Sequence, residues 1–252
     1  MQYSREFFDL QIRFARAAAS LTGMRIEQAL LVYTNVYVRL GLGRGFDEAH
    51  PAWRHYIDGF RQATDLSDWT YRCYLARVEG ARGQSVPAAF GCFSYVMQDD
   101  GCVRVHFQNV DPLTVSPLSI DRLPERLCEL RSLFDHVGRN HKDAARVVGT
   151  SWLYNLGAYR RCFPEEYVAS ARVAESRFRN MPLWGQLLNR YGMVRGGVAD
   201  SFINRLSHAA DIQDLALCFP FQALAVEAPI AVFKSFYGLE DDRRTAALRT
   251  KG

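Results

Sequence analysis

The chain lacks a long uninterrupted apolar run. No stretch approaches the roughly 20 apolar residues that a membrane-spanning helix needs. The first ten residues, MQYSREFFDL, include the acidic Glu6 and Asp9, which a secretory signal peptide would not carry in its apolar core. The sequence therefore predicts a cytoplasmic protein that does not interact with a membrane.

Patterns that bind metal or form disulfides are also missing. The chain has six cysteines but no C-x-x-C pair, so neither a zinc site nor a disulfide framework is predicted. His50 and His55 are five positions apart, which is off the i, i+4 spacing that places two side chains on one helix face. We therefore expect reduced thiols and no metal site.

Lysine is scarce, occurring only at Lys142, Lys234 and Lys251, and the net charge is only +4. Arginines alternate with acidic residues, as they do on a solvated helix face. No basic stripe with interleaved aromatic residues marks a nucleic-acid surface. The composition therefore predicts no nucleic-acid partner, and it leaves the oligomeric state open.

The first part of the chain has the pattern of packed helices. Apolar residues recur at steps of three and four, beginning with Phe7, Leu10 and Phe14, and three further helices follow up to about Val78. Residues 80–87, GARGQSVP, are rich in helix breakers and indicate a boundary. We predict a helical N-terminal subdomain over residues 1–82.

The pattern then changes to strands alternating with helices. Asp100-Gly101 separates two β-rich runs and predicts a hairpin. An amphipathic helix over residues 117–137, a strand over 145–151 and a fourth strand over 171–178 follow. These features predict an α/β fold in which a mixed sheet covered by helices occupies residues 83–240. Residues 241–252 are predicted to be a flexible tail.

Ser151 is a candidate nucleophile because it follows Gly149 at the end of a strand. A nucleophile elbow needs G-x-S-x-G, and Leu153 occupies the last position of that motif here. The possible triad partners, Asp200 and His208, lie only eight positions apart. A serine hydrolase therefore stays a minor alternative.

Two further positions could supply a general base. His106 shares a predicted strand face with Arg104 and Gln108, and its side chain titrates near neutral pH. Glu175 shares a face of the fourth predicted strand with Arg177, where a cross-strand ion pair is the structural alternative to catalysis. The segment Arg39–Gly45, RLGLGRG, meets neither phosphate-loop motif and is predicted to connect two helices.

The order of these segments resembles bacterial acyltransferases of the Gcn5-related N-acetyltransferase (GNAT) superfamily that carry an extra helical N-terminal domain. The resemblance covers about residues 103–238. It includes Ser151-Trp152-Leu153-Tyr154 at a strand end, Phe163-Pro164, Arg177-Phe178, and a helix marked by Pro220 and Gln222 that ends at Gly238. The superfamily's pyrophosphate loop, [QR]-x-x-G-x-[GA], does not follow any of the four predicted strands.

The resemblance implies transfer of an acyl group from acyl-coenzyme A, or another acyl thioester, to a small amine or hydroxyl. It implies that the strands 145–151 and 171–178 lie side by side and separate at their tips, with Trp152 anchoring the core. Glu175 would act as the base, and Tyr154 or Tyr167 would return a proton to the leaving thiolate. The predicted catalytic residues are Glu175, Tyr154 and His106, and the predicted substrate- or cofactor-binding residues are Ser151, Trp152, Asn155, Gln108 and Arg177. The missing phosphate loop leaves a catalytically silent binding or interaction module as the alternative.

Overall fold

The predicted fold class is confirmed: the computed structural model is a mixed α/β protein with an N-terminal set of helices followed by a six-stranded sheet. It describes residues 2–43, 45–80, 89–98, 100–110, 115–175 and 180–239. Of the side chains named in the sequence analysis, Arg177 and Phe178 fall outside these ranges, as does the predicted tail.

The helices and strands follow one another along the chain with short connections. The helices are α1 Arg5–Thr22, α2 Ile26–Tyr33, α3 Val36–Arg39, α4 Pro51–Gln62, α5 Leu66–Gly80, α6 Leu123–Asn140, α7 Gly157–Arg160, α8 Glu165–Ala169, α9 Gly196–Ser207, α10 Ile212–Leu217 and α11 Ile230–Phe236. The strands are β1 Ala89–Phe90, β2 Phe93–Met97, β3 Cys102–Phe107, β4 Arg146–Ser151, β5 Arg172–Val173 and β6 Leu224–Pro229. No described helix is long and apolar enough to cross a membrane.

The chain divides into two compact units. Unit 1 contains the chain up to Ser85 together with Ala174–Ala223, and unit 2 contains Val86–Val173 and the chain from Leu224 onward. The predicted domains place residues 174–223 in the α/β domain, whereas the structure groups them with unit 1. They pack instead with the N-terminal helices.

An aromatic cluster explains how residues 174–223 join unit 1. The Trp184 ring is fully buried, and it meets the Phe14 ring of α1 edge-on at a centroid distance of 5.4 Å. Its indole N–H donates a hydrogen bond to the Tyr33 carbonyl oxygen at 3.1 Å. A buried indole needs both apolar contacts and a partner for its N–H, and α1 and α2 provide them.

The sheet of unit 2 has the order β1-β2-β3-β4-β6-β5. The β2–β3 hairpin is antiparallel, as the Asp100-Gly101 turn predicted, and Gly101 adopts a φ of 72°. β3 and β4 are parallel, and every other pair is antiparallel. Helix α6 is the crossover connection that a parallel pair requires.

The core of unit 2 lies where the helices cover this sheet. Leu130, Leu133 and Phe134 of α6 are fully buried, and the ring of Phe134 contacts that of Phe233 in α11 at a centroid distance of 4.6 Å. Val147 of β4 is buried in the same cluster. The amphipathic pattern of residues 117–137 therefore predicted the helix face that covers the sheet.

One strand was missed by the sequence analysis. The resemblance implied a helix through Pro220, Gln222 and the following residues, but Leu224–Pro229 forms strand β6. β6 pairs with β4 along its whole length, from Arg146↔Pro229 to Ser151↔Leu224. Its small residues alternate only weakly in polarity, so the strand depends on the neighbour that it pairs with rather than on its own sequence.

Candidate functional site

The candidate site is the edge of the sheet at which β3 and β4 end. Because these strands are parallel and joined by α6, their carboxyl ends lie at the same edge, where the first turn of α6 also begins. In open sheets that contain parallel strands, ligands bind outside the carboxyl ends of those strands. This edge is therefore where a ligand is expected.

The pairing between β3 and β4 ends before either strand does. Their register pairs are Cys102↔Arg146, Val103↔Val147 and Arg104↔Val148. β3 continues as far as Phe107 beside β2, and β4 continues to Ser151 beside β6. The end of β3 is therefore still paired with β2, and the end of β4 with β6, but the two ends are not paired with each other.

Two tyrosine hydroxyls lie directly against β4 where the ladder stops. The hydroxyl oxygens of Tyr154 and Tyr167 are 2.9 Å apart, and both side chains are buried. A Cβ atom at Gly149 would lie 2.1 Å from the Tyr154 oxygen and 2.5 Å from the Tyr167 oxygen. Glycine is required here for space, since any side chain would displace the hydroxyl pair.

The environment keeps these tyrosines protonated. Burial raises the pKa of Tyr154 to about 12, although the hydrogen bond with Tyr167 and the positive charge of Arg104 act in the opposite direction. Burial, followed by the proximity of Tyr154, raises the pKa of Tyr167 well above its usual value. The pair can therefore donate hydrogen bonds at neutral pH but cannot act as a base.

The opposite face of the same strands is polar. Arg104, His106 and Thr150 are partly buried there, and the Arg104 guanidinium lies 3.4 Å from the Thr150 hydroxyl, to which it donates. His106 lies on the part of β3 beyond the last register pair with β4 and is opposite Ser94 of β2. The predicted polar face is confirmed for Arg104 and His106. Gln108 follows the end of β3, is exposed, and donates its backbone N–H to the Cys92 carbonyl at 2.8 Å.

Helix α6 places a buried cation near this edge. Arg126 is only 2% exposed and forms ion pairs with Glu125 at 3.1 Å and Glu129 at 3.0 Å. Its guanidinium also donates to the Cys92 sulfur, and the Glu129 carboxylate accepts from the Cys92 N–H at 3.2 Å. This network ties the β1–β2 turn to α6. The alternation of arginines with acidic residues predicted a solvated helix face, and the burial of Arg126 contradicts that prediction at this position.

The structure explains Ser151 as a cap. Its hydroxyl oxygen accepts a hydrogen bond from the Leu153 N–H at 3.1 Å and begins the 3-10 turn Trp152–Asn155. Asp200 and His208 lie at α9 in unit 1, whereas Ser151 belongs to unit 2. Local hydrogen bonding thus accounts for Ser151, and capping is a common role of serine at helix starts.

The residues after Ser151 have different surroundings. Tyr154 is buried, whereas Trp152 is only partly buried, so the expected core anchor is Tyr154 rather than Trp152. The Asn155 amide nitrogen donates to the Trp152 carbonyl at 2.8 Å, which stabilises the turn. This turn brings the Tyr154 hydroxyl back against Gly149.

The predicted arrangement of Glu175 is wrong in one respect. The fourth strand ends at Val173, so Glu175 is exposed, lies outside any strand and belongs to unit 1. β5 pairs with β6 only through Arg172↔Ala225 and Val173↔Leu224, because β6 begins at Leu224. Arg177 is outside the described residues, so its predicted role stays a prediction.

The expected cleft is also misplaced. The sequence analysis put it between the strands at 145–151 and 171–178, but β6 lies between β4 and β5 and pairs with both. The neighbouring strands whose pairing stops before their ends are β3 and β4. The error came from the missed strand β6, which supplies the neighbour of β4 on that side.

An acidic residue of β6 was missed as well. Glu227 is opposite Val148, on the polar face of the sheet, and forms ion pairs with Arg172 at 3.1 Å and Arg146 at 3.7 Å. The two arginine side chains are at least half exposed, so the pairs contribute little stability. Among the described residues, no group of three or more histidine, cysteine or acidic side chains is arranged to hold a metal ion.

Comparison of the chain with protein-family models, with curated proteins and with solved structures finds no significant match.

Proposed function

We propose that the protein is an acyltransferase that moves an acyl group from a thioester, such as acyl-coenzyme A, to a small amine or hydroxyl. The observation that carries the proposal is the parallel unit β3–α6–β4, in which strand pairing stops above the Tyr154–Tyr167 hydroxyl pair. The GNAT resemblance of the sequence supports the same activity.

The strand ends suit an extended donor that carries amide groups. A segment of this kind can enter between Val105–Phe107 and Gly149–Ser151 and exchange hydrogen bonds with strand backbone, as peptides do when they add to a sheet. The pantetheine arm of coenzyme A is such a segment. Its thioester carbonyl would then lie near the tyrosine pair.

The two faces of the sheet contribute different groups to the reaction. The acceptor nitrogen attacks the thioester carbonyl carbon, the C–N bond forms, and the C–S bond breaks to release a thiolate. His106 takes the proton that the nitrogen loses and passes it through solvent to the thiolate. Tyr154 donates a hydrogen bond to the developing thiolate from the opposite face.

The pKa of Tyr154 distinguishes hydrogen bonding from proton transfer. Its pKa of about 12 exceeds the value of about 8.5 typical of a thiol. Complete transfer of its proton to a thiolate would therefore be uphill by about 5 kcal/mol. Tyr154 thus serves as a hydrogen-bond donor, and the proton that the thiolate gains comes from the acceptor.

Binding tests the first part of the proposal. Coenzyme A, acetyl-coenzyme A and palmitoyl-coenzyme A are titrated into the protein by calorimetry, and a binding thioester should also raise the melting temperature. Tyr154→Phe should weaken thioester binding or turnover, whereas the matched control Tyr191→Phe, at a side chain that is 66% exposed, should not. Absence of binding by all three compounds refutes the proposal.

Turnover with simple amines, followed by release of free thiol, tests the base. His106→Asn should reduce kcat and change the pH–rate profile near neutral pH, because histidine titrates there. Glu175→Gln should leave turnover unchanged if His106 is the base. The reverse result would assign the base to Glu175, as the resemblance implied.

One observation favours a second candidate, a ligand-binding or interaction module without catalysis. Residues 108–122 between β3 and α6 contain no glycine, although a backbone cradle for phosphate at a helix start usually needs one. This candidate predicts that no coenzyme A thioester binds and that no acceptor leads to thiol release.

A further inference from the structure

Unit 1 contains a cavity of about 280 Å³ that acyl transfer does not explain. It lies between the beginning of α2 and one face of α4. Its size is at the lower end of the range for small-molecule sites, which begins at roughly 300 Å³. A molecule as small as an amino acid fits that volume.

The floor of the cavity is apolar and its walls are charged. Trp53 and Ile57 form the floor and are 2% and 6% exposed. Three arginines and three carboxylates line the walls, so the side chains contribute no net charge. An apolar floor with a few polar groups around it is the usual composition of a ligand site.

Part of this charge is neutralised within the protein. Arg61 forms ion pairs with Glu27 at 2.7 Å and with Asp58 at 3.5 Å. Burial disfavours the Glu27 carboxylate, but its own backbone N–H and Arg61 outweigh that effect and lower its pKa. The charges of these three side chains are therefore paired with one another.

The remaining charged side chains of the lining are those of Arg25, Arg54 and Glu48. Within the described ranges, the side chains of Arg54 and Glu48 have no ion-pair partner. Arg54 is on α4, next to Trp53, and Glu48 lies just before that helix. A guanidinium binds a carboxylate in a bidentate manner, and a carboxylate binds an ammonium group.

We propose that this cavity binds a small zwitterion of amino-acid size. Its carboxylate would pair with Arg54, its ammonium group with Glu48, and its apolar part would lie on Trp53 and Ile57. A phosphorylated ligand is disfavoured, because the side chains of the lining carry no net charge and Arg61 is already paired with Glu27 and Asp58. The inference is independent of acyl transfer, since every residue in it belongs to unit 1.

The test is calorimetry at low salt with the full chain and each of the twenty L-amino acids as probe. Acetate and methylammonium carry one charge each, and inorganic phosphate serves as the anionic probe. At least one amino acid should bind ten times more tightly than either single-charge fragment and than phosphate. If none does, or if phosphate binds most tightly, the proposal is refuted.

Variants separate this site from general charge effects. Arg54→Gln and Glu48→Gln should each weaken binding at least fivefold. The matched controls Arg16→Gln and Glu6→Gln, at exposed positions of α1 away from the cavity, should leave binding unchanged. All four positions are on the surface, so circular dichroism should show unchanged folding. Equal effects of the cavity and control variants would overturn the assignment.

Discussion

Gly149→Ala is the sharpest test of how the candidate site is built. The new Cβ would lie 2.1 Å from the Tyr154 hydroxyl oxygen and 2.5 Å from that of Tyr167. Neither ring can simply move away, since Tyr154 packs against Phe163 at 6.0 Å and Tyr167 packs against Phe233 at 4.8 Å between ring centroids. The substitution must therefore displace buried rings or bend β4.

The expected cost is the sum of two effects. Overpacking a closed core costs about 1–3 kcal/mol, and loss of the Tyr154–Tyr167 hydrogen bond costs about 0.5–1.5 kcal/mol. The free energy of unfolding should therefore fall by about 1.5–4.5 kcal/mol. This is a large part of the roughly 5–15 kcal/mol that stabilises a typical protein.

Urea denaturation followed by circular dichroism measures this change. Gly157→Ala is the matched control, because an added Cβ there meets nothing within 4 Å and the position begins α7. In a Tyr154→Phe background one clashing hydroxyl is gone, so Gly149→Ala should cost less than in the natural sequence. If Gly149→Ala and Gly157→Ala differ by less than about 0.5 kcal/mol, a typical surface effect, the packing argument is refuted.

Three further predictions concern the buried polar groups and one helix contact. The free energy of unfolding should decrease between about pH 10 and pH 12, because Tyr154 ionises at a lower pH in the unfolded chain than in the folded protein. Its contribution should be about 1.4 kcal/mol per pH unit, and Tyr154→Phe should remove it in alkaline urea titrations. Arg126→Ala should cost about 3–5 kcal/mol by leaving Glu129 without its buried partner. Arg126→Met also removes the charge and should cost nearly as much in urea denaturation; a near-neutral Arg126→Met would show that lost packing volume, and not lost charge, causes the effect. Gly59→Ala should cost about 1–3 kcal/mol, since its Cβ would lie 2.0 Å from the Trp69 ring; an unchanged melting temperature would contradict this contact.

Local patterns in the sequence were sufficient for helices α1 and α6 and for the hairpin. The spacing of Phe7, Leu10 and Phe14 predicted α1 because helix periodicity is a property of neighbouring residues. Asp100-Gly101 predicted the β2–β3 turn because only a few residue types adopt its backbone conformation. The α/β class follows from such local signals.

Only the tertiary structure decided which strands are neighbours, and therefore where the site lies. Strand β6 pairs with β4 although 73 positions separate Ser151 from Leu224, and no short-range pattern records such a pairing. The close approach of the Tyr154 and Tyr167 hydroxyls to Gly149 also depends on the 3-10 turn Trp152–Asn155 and helix α8, which both fold back against β4. The periodicity of each segment follows from its own residues, but sheet order and packing depend on contacts between distant segments. Because of those contacts, the candidate site lies at the ends of β3 and β4 and not, as predicted, between β4 and β5.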